Sequence, residues 1–249
     1  MHFDPGSRSL LSRHDLGRFP AATLFDKLAR VVCAVDCLPR KELYESWEVA
    51  RRVRRRFRGG RVVDLACGHG LTGWIMLILD GSSERCVALD RRLPASAQRL
   101  HEALADAWPA VANRVSMREG DLADEPLTAQ DVVVATHACG TLTDRVLAQA
   151  SEVRARVAVL PCCHDASASS QAGLSGWLDP GLAIDVARAT QLGHAGYLVH
   201  TQTIPATITP KNRLLLGEPT ERVLPAPRPA PAGSTDRSAH PSRARSGPR

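Results

Sequence analysis

The sequence predicts an α/β fold, a mostly parallel sheet preceded by helices and closed by an antiparallel hairpin, and three observations predict it. From Arg61 onward, short β-rich runs alternate with helical ones, which is the signature of βαβ units. The first such run leads straight into a glycine-rich loop, Gly68-x-Gly70-x-x-Gly73, that opens a helix. The last two runs have between them the turn formers Thr209-Pro210-Lys211-Asn212, so they are expected to pair as a hairpin.

Taken in order, residues 1–20 have weak periodicity and several turn formers, which predicts a loosely ordered lead-in. Residues 21–58 read as two helices. In the second, Leu43, Trp47, Ala50, Val53 and Phe57 recur at spacings of three and four and make one apolar stripe. Gly59 and Gly60 end it. The main domain spans 59–223, with strands expected at 61–66, 85–90, 115–119, 131–136 and 156–161, a helix around 182–192, and the hairpin strands at 197–204 and 213–217. Residues 224–249 are rich in Pro, Ala, Ser and Arg, lack apolar bulk and are expected to be disordered.

A chain of 249 residues that is 44% hydrophobic suits one α/β domain with small additions. Its apolar runs, such as 74–79, fall far short of the roughly 20 residues that cross a bilayer, and no basic segment followed by an apolar one marks the N-terminus. The seven cysteines are odd in number and scattered, as expected of reduced thiols in a cytoplasmic protein without a membrane anchor. Cys33 and Cys37, on adjacent turns of one helical face, read as packing.

The formal charge is +6, of which 224–249 contributes +4 from five arginines and one aspartate. The folded part is therefore close to neutral. The local exception is Arg51, Arg52, Arg54, Arg55, Arg56, Arg58 and Arg61, either a solvated helix face or a phosphate-binding surface. If it binds RNA, Arg51, Arg54, Arg55 and Arg58 are the residues expected to touch phosphates.

The glycine loop alone fits any dinucleotide site. Three acids narrow it: Asp64 just before Ala66 and Cys67, Asp90 ending the second strand, and Asp121, followed by Leu122, after the third. Asp64 can hold the loop and accept from an ammonium, Asp90 can accept from both ribose hydroxyls, and Asp121 can accept from an adenine amino group. All lie at the carboxyl ends of parallel strands, where open α/β sheets bind ligands. For each acid taken singly, capping a turn is the competing reading.

With these residues the sequence resembles the class I S-adenosylmethionine (SAM) dependent methyltransferases, over roughly residues 40–220. The resemblance implies a Rossmann-like, seven-stranded, mostly parallel sheet with a terminal antiparallel hairpin. It also implies SAM as cofactor, held by Asp64, Ala66, Cys67, Gly68, Gly70, Asp90, Asp121 and Leu122.

Two further segments end the fourth and fifth strands, Thr136-His137-Ala138-Cys139-Gly140-Thr141 and Pro161-Cys162-Cys163-His164. Together with Thr209-Pro210-Lys211-Asn212-Arg213, they are similar to a subgroup that includes a eukaryotic tRNA ribose methylase and the methyltransferase domain of glutathione S-transferase C-terminal domain-containing protein. His137, His164 and Cys163 are the candidate catalytic residues, since histidine exchanges protons near neutrality. A packed, inert cluster is the competing reading. No metal is expected, because adjacent Cys162 and Cys163 would point apart on a continuing strand.

Methyl transfer to an oxygen nucleophile, on RNA or another acceptor, is the preferred function. No Asn-Pro-Pro-Tyr element follows the fourth strand, which disfavours amino-group methylation of bases. Small-molecule and protein acceptors stay open. So do two rivals: an NAD-dependent oxidoreductase using the same glycines with Asp90, and a non-catalytic module that docks RNA or an acidic partner on its arginine helix.

Overall fold

The computed structural model describes residues 3–220, so the tail expected to be disordered lies outside the described residues. Seven strands form one sheet: β1 (Val62–Leu65), β2 (Cys86–Asp90), β3 (Val115–Glu119), β4 (Val132–Ala135), β5 (Arg156–Val159), β6 (Tyr197–Thr203) and β7 (Arg213–Pro219), in the spatial order β3-β2-β1-β4-β5-β7-β6. The first five run parallel, and β7 enters antiparallel between β5 and the edge strand β6. The Rossmann-like class, the seven strands and the hairpin ending are thus as the sequence implied. β3 matches its expected run, β7 extends two residues beyond it, and the other five strands are one or two residues shorter at some ends.

Strands buried on both faces explain the near-continuous Val and Leu of β1 and β4. Alternate residues face two layers. Val62, Val132 and Val134 pack with α1 (Leu24–Val35), α2 (Arg40–Arg56), α3 (Leu71–Leu79), α4 (Ala97–Ala107) and the single turn α5 (Pro109–Ala112). Val63, Val133 and Val157 pack with α6 (Thr141–Glu152) and α7 (Pro180–His194). The apolar α3 is buried because α2 lies over it, while α1 begins at Thr23, whose hydroxyl accepts from Asp26 N.

Residues 3–20 are not the loose lead-in the composition predicts. Leu11 and Phe19 are buried in the main core, Leu11 N donates to Leu38 O, and Lys41 N donates to Ser7 O at the start of α2. The segment also lies against the β6–β7 connection, where a Cβ on Gly6 would stand 2.7 Å from Thr207 O. Weak periodicity signals irregular backbone, and such backbone is ordered when long-range hydrogen bonds satisfy it.

No helix among the described residues is long and apolar enough to cross a membrane.

Candidate active site

The glycine loop follows β1 because three backbone conformations there need glycine or strain. Gly68 and Gly70 have positive φ, and so does Ala66 at 54°. Gly70 opens α3. Gly73, one turn in, lets the helix approach the sheet: a Cβ there would come within 2.5 Å of Cys86 Sγ and 3.3 Å of Asp64. Asp64 Oδ2 accepts from Gly73 N at 2.9 Å, and Asp90 Oδ2 accepts from Gly68 N at 2.8 Å. Two of the predicted acids therefore hold the loop from below and from the side. Cys67 is buried and makes only a weak contact through Sγ with Gly68 O.

A cavity of about 410 Å3 opens at the carboxyl ends of β1 to β3, lined by Ala66, Asp90, Asp121 and Leu122 with Leu142 and Arg145. Such a volume is in the range of cofactor sites. Two observations fit the amino-acid nucleoside that the resemblance implies. Asp64 Oδ1 is buried without a hydrogen-bond partner, and a Cβ on Gly68 would meet nothing within 4 Å, which leaves room for a ligand against the backbone. Burial pushes Asp64 up to about 8, Gly73 N opposes this, and Asp90 adds to it. A cationic ammonium at that oxygen would favour the ionised form.

Asp121 does two things at once. It caps the short turn at Leu122–Asp124, accepting from Ala123 N, and it is bracketed by Arg145 at 2.5 Å and Arg91 at 3.3 Å. The Ala123 N–H and Arg145 hold its carboxyl down to about 2. Arg91 and Arg145 sit far from the glycine loop in sequence, and no motif marks them.

The 136–140 loop after β4 divides this cavity from a second one. Cys139 lines the first, while His137, Cys162 and Cys163 line the second, of about 500 Å3, opposite Lys41 and Lys211. Thr143 Oγ1 donates to Ala138 O at 2.6 Å, Arg188 Nη2 donates to Gly140 O at 2.9 Å, and Thr136 Oγ1 meets Thr72 Oγ1 at 2.9 Å. These bonds fix the loop to α6, α7 and α3. His137 is half-buried, and burial first, then the charges of Lys41 and His69, pushes its imidazole down to about 4. It is therefore neutral at pH 7.

Two acids from α2, the half-buried Glu42 and the buried Glu45, share this cavity; desolvation raises both, and Lys41 Nζ lies 3.2 Å from Glu45. The sequence reading missed Lys41, Glu42 and Glu45 because they precede the sheet by a full helix. Only the Thr209-to-Arg213 segment, which the resemblance singled out, pointed to this wall.

His164 does not join His137. Its Nε2 lies 2.8 Å from Asp185 Oδ1, its side chain is 4% exposed, and Asp185 is also held by Arg213 at 2.6 Å and Arg188 at 3.4 Å. His164 thereby forms a buried link between the β5 end and α7.

The thiols also differ from expectation. β5 ends at Val159 and Pro161 follows, so Cys162 and Cys163 are not on a continuing strand and do not point apart. Their sulfurs and that of Cys139 lie within 4.8 Å of one another.

The arginine cluster is corrected most. Arg54 is buried, donating to Met76 O, Phe57 O and Ser83 Oγ and pairing with Asp80. Arg51 and Arg52 pair with Glu48, Arg56 with Glu218 and Arg58 with Asp80. The cluster ends α2 just before β1 starts, so it lies at the amino ends of the parallel strands. About 14 residues of helix, some 21 Å, separate Arg55 from Lys41 at the cavity. The four arginines expected to hold phosphates beside the methyl donor are at the opposite edge of the sheet, and Arg54 cannot reach any ligand.

Comparison with known proteins follows this geometry. A family model described as a methyltransferase domain matches residues 41–169. No curated protein sequence matches the chain. Among solved structures, an O-methyltransferase family protein from Burkholderia thailandensis superposes with a TM-score of 0.50 at 18% identity, covering 83% of this chain and 63% of that one. The pyocyanin biosynthetic protein PhzM gives 0.47 at 22% identity, covering 83% and 61%. The tRNA methyltransferase TrmK of B. subtilis gives 0.49 at 14% identity, covering 70% and 66%. Likeness at these identities is likeness of fold, and the chain spans less than two thirds of the first of these structures.

Proposed function

The chain belongs to the methyltransferase domain family, and we propose that this SAM-dependent enzyme methylates an oxygen nucleophile seated in the cavity between the start of α2 and the 136–140 loop. The observation that carries the reading is the neutral, half-buried His137 at the partition between the two cavities. SAM, when bound, supplies an electrophilic methyl group. Ala66, Asp90, Asp121 and Leu122 line the cavity proposed to hold it, and Gly68, Gly70 and Asp64 shape the loop beneath; Cys67 packs behind.

The acceptor hydroxyl would donate to the unprotonated nitrogen of His137, which orients an oxygen lone pair toward the first cavity and receives the proton as the new bond forms. Burial first, and then the charge of Lys41, opposes protonation of the ring before the acceptor arrives, so the base form is present at neutral pH. Placement supplies most of the rate in such a displacement, and the bonds from Thr143 and Arg188 to the loop supply the placement.

A ribose hydroxyl of RNA is the second reading. It is favoured by the subgroup resemblance of the His137, Cys162 and Thr209 segments, which all border the acceptor cavity, and by three cations there, Arg8, Lys41 and Lys211. On this reading phosphates meet those three residues and not the arginine helix. A tritiated-methyl transfer screen over tRNA and pools of small hydroxyl compounds, run with wild type and His137→Ala, tests both. Label in an amine or carbon position, or equal rates for the two proteins, would overturn the proposal.

A further inference from the structure

We propose that Cys139, Cys162 and Cys163 form a three-thiolate site for a soft divalent cation of the zinc class, with its fourth position open to the acceptor cavity. The three sulfurs come from two loops 23 residues apart and lie within 4.8 Å of one another. Cys162 Sγ and Cys163 Sγ are 3.8 Å apart. Tetrahedral coordination with Zn–S bonds of about 2.3 Å sets neighbouring sulfurs near 3.8 Å, so this pair already has the required spacing. Cys139 Sγ, at 2.8 Å from Cys162 Sγ, needs to move out by about 1 Å, which a rotation of its exposed side chain allows.

The backbone that carries the thiols is fixed without a metal. Gly140 N donates to Cys163 O at 3.2 Å and joins the two loops directly, and Arg188 holds Gly140 O from the other side. The four remaining cysteines are buried, whereas these three are exposed or half-exposed at the mouths of the two cavities. Three sulfur ligands select zinc-class ions over magnesium or calcium. Three protein ligands with a free position are the pattern of a reactive site, not of a closed structural one. Cys162 and Cys163 line the acceptor cavity, so the free position takes water or an acceptor heteroatom. On binding, each thiol loses its proton to solvent as the metal–sulfur bond forms.

The inference does not depend on methyl transfer, and it is tested without SAM. The full chain, reduced and freed of metal, is titrated with Co2+ and then Zn2+. The expected result is a thiolate-to-cobalt charge-transfer band that saturates at one ion per chain and is lost as zinc displaces cobalt. Cys163→Ser should weaken zinc binding by at least the roughly 10- to 100-fold that even an outer-sphere partner contributes. The triple variant Cys139→Ser, Cys162→Ser, Cys163→Ser should keep its circular dichroism and bind no cobalt, and zinc should raise the melting temperature of the wild type only. Equal zinc affinity in the triple variant, absence of the band in the wild type, or a Cys139–Cys162 disulfide forming in preference to the zinc complex would each overturn the site. SAM affinity, measured separately on the same samples, reports on the methyltransferase reading alone.

Discussion

Replacing Arg54 by alanine separates the arginine helix as a binding surface from the arginine helix as architecture. The guanidinium is 2% exposed; two of its hydrogen bonds tie the last turn of α2 to the α3 backbone and to Ser83, and the third caps that turn at Phe57 O. Its partner Asp80 is equally buried; burial raises that carboxyl, but hydrogen bonds from Ser82 and Gly59 N outweigh this and leave it well below the usual carboxylate range. Removing one partner of a buried, hydrogen-bonded ion pair costs about 3–5 kcal/mol, because the other charge stays behind. For a folded unit of this size that is a fall in melting temperature of roughly 6–20 °C. Arg55→Ala, at an exposed position of the same helix, should stay within about 0.5 kcal/mol. Both variants are measured by urea unfolding and by bulk tRNA binding across a salt series. Arg54→Ala should lose stability and leave the salt slope of the folded protein unchanged. A loss below about 1 kcal/mol, or a flatter salt slope in a fully folded Arg54→Ala, would refute the placement of this side chain.

Four other outcomes are expected. Gly68→Val forces a β-branched residue into positive φ and fills the space above the loop, so isothermal titration should detect no SAM binding; unchanged affinity in a folded protein would remove this loop from the site. Gly73→Ala puts a methyl 2.5 Å from Cys86 Sγ and should cost about 1–3 kcal/mol by overpacking in chemical unfolding. His137 has its folded pKa lowered toward 4, so below about 6.5 the unfolded chain takes up a proton that the folded one refuses. Its stability contribution is present above that pH and is lost as the pH falls toward 4, by at most about 3 kcal/mol, and an NMR titration that found a midpoint near 6.5 would contradict its burial. His164→Ala should lower stability by about 1–3 kcal/mol by removing its buried bond to Asp185, which keeps Arg213 and Arg188, while kcat per folded molecule stays within a few-fold, and a kcat loss of about 1,000-fold would show a catalytic role.

What the sequence by itself determined is local. Alternation of β-rich and helical runs, the stripe along α2, the glycine spacing and the acids at strand ends each depend on residues a few positions apart, and period and turn chemistry are readable at that range. Asp64 and Asp90 accordingly hold the glycine loop, and Ala66, Asp90, Asp121 and Leu122 line one cavity. What only the tertiary structure decided is which distant side chains meet. A run of arginines shows its charge but not its face, and Arg54 turned inward because α3 packs on that side of α2. β7 inserts beside β5, which brings Arg213 to Asp185 and takes His164 out of the cavity. The strand ends at Val159 before the paired cysteines, so they converge with Cys139 where a longer strand would have parted them. The 3–20 segment becomes a wall of the second cavity because its backbone bonds to residues 27 to 34 positions away. Each of these outcomes follows from strand order and helix contact across long sequence separations, where no local period carries a signal.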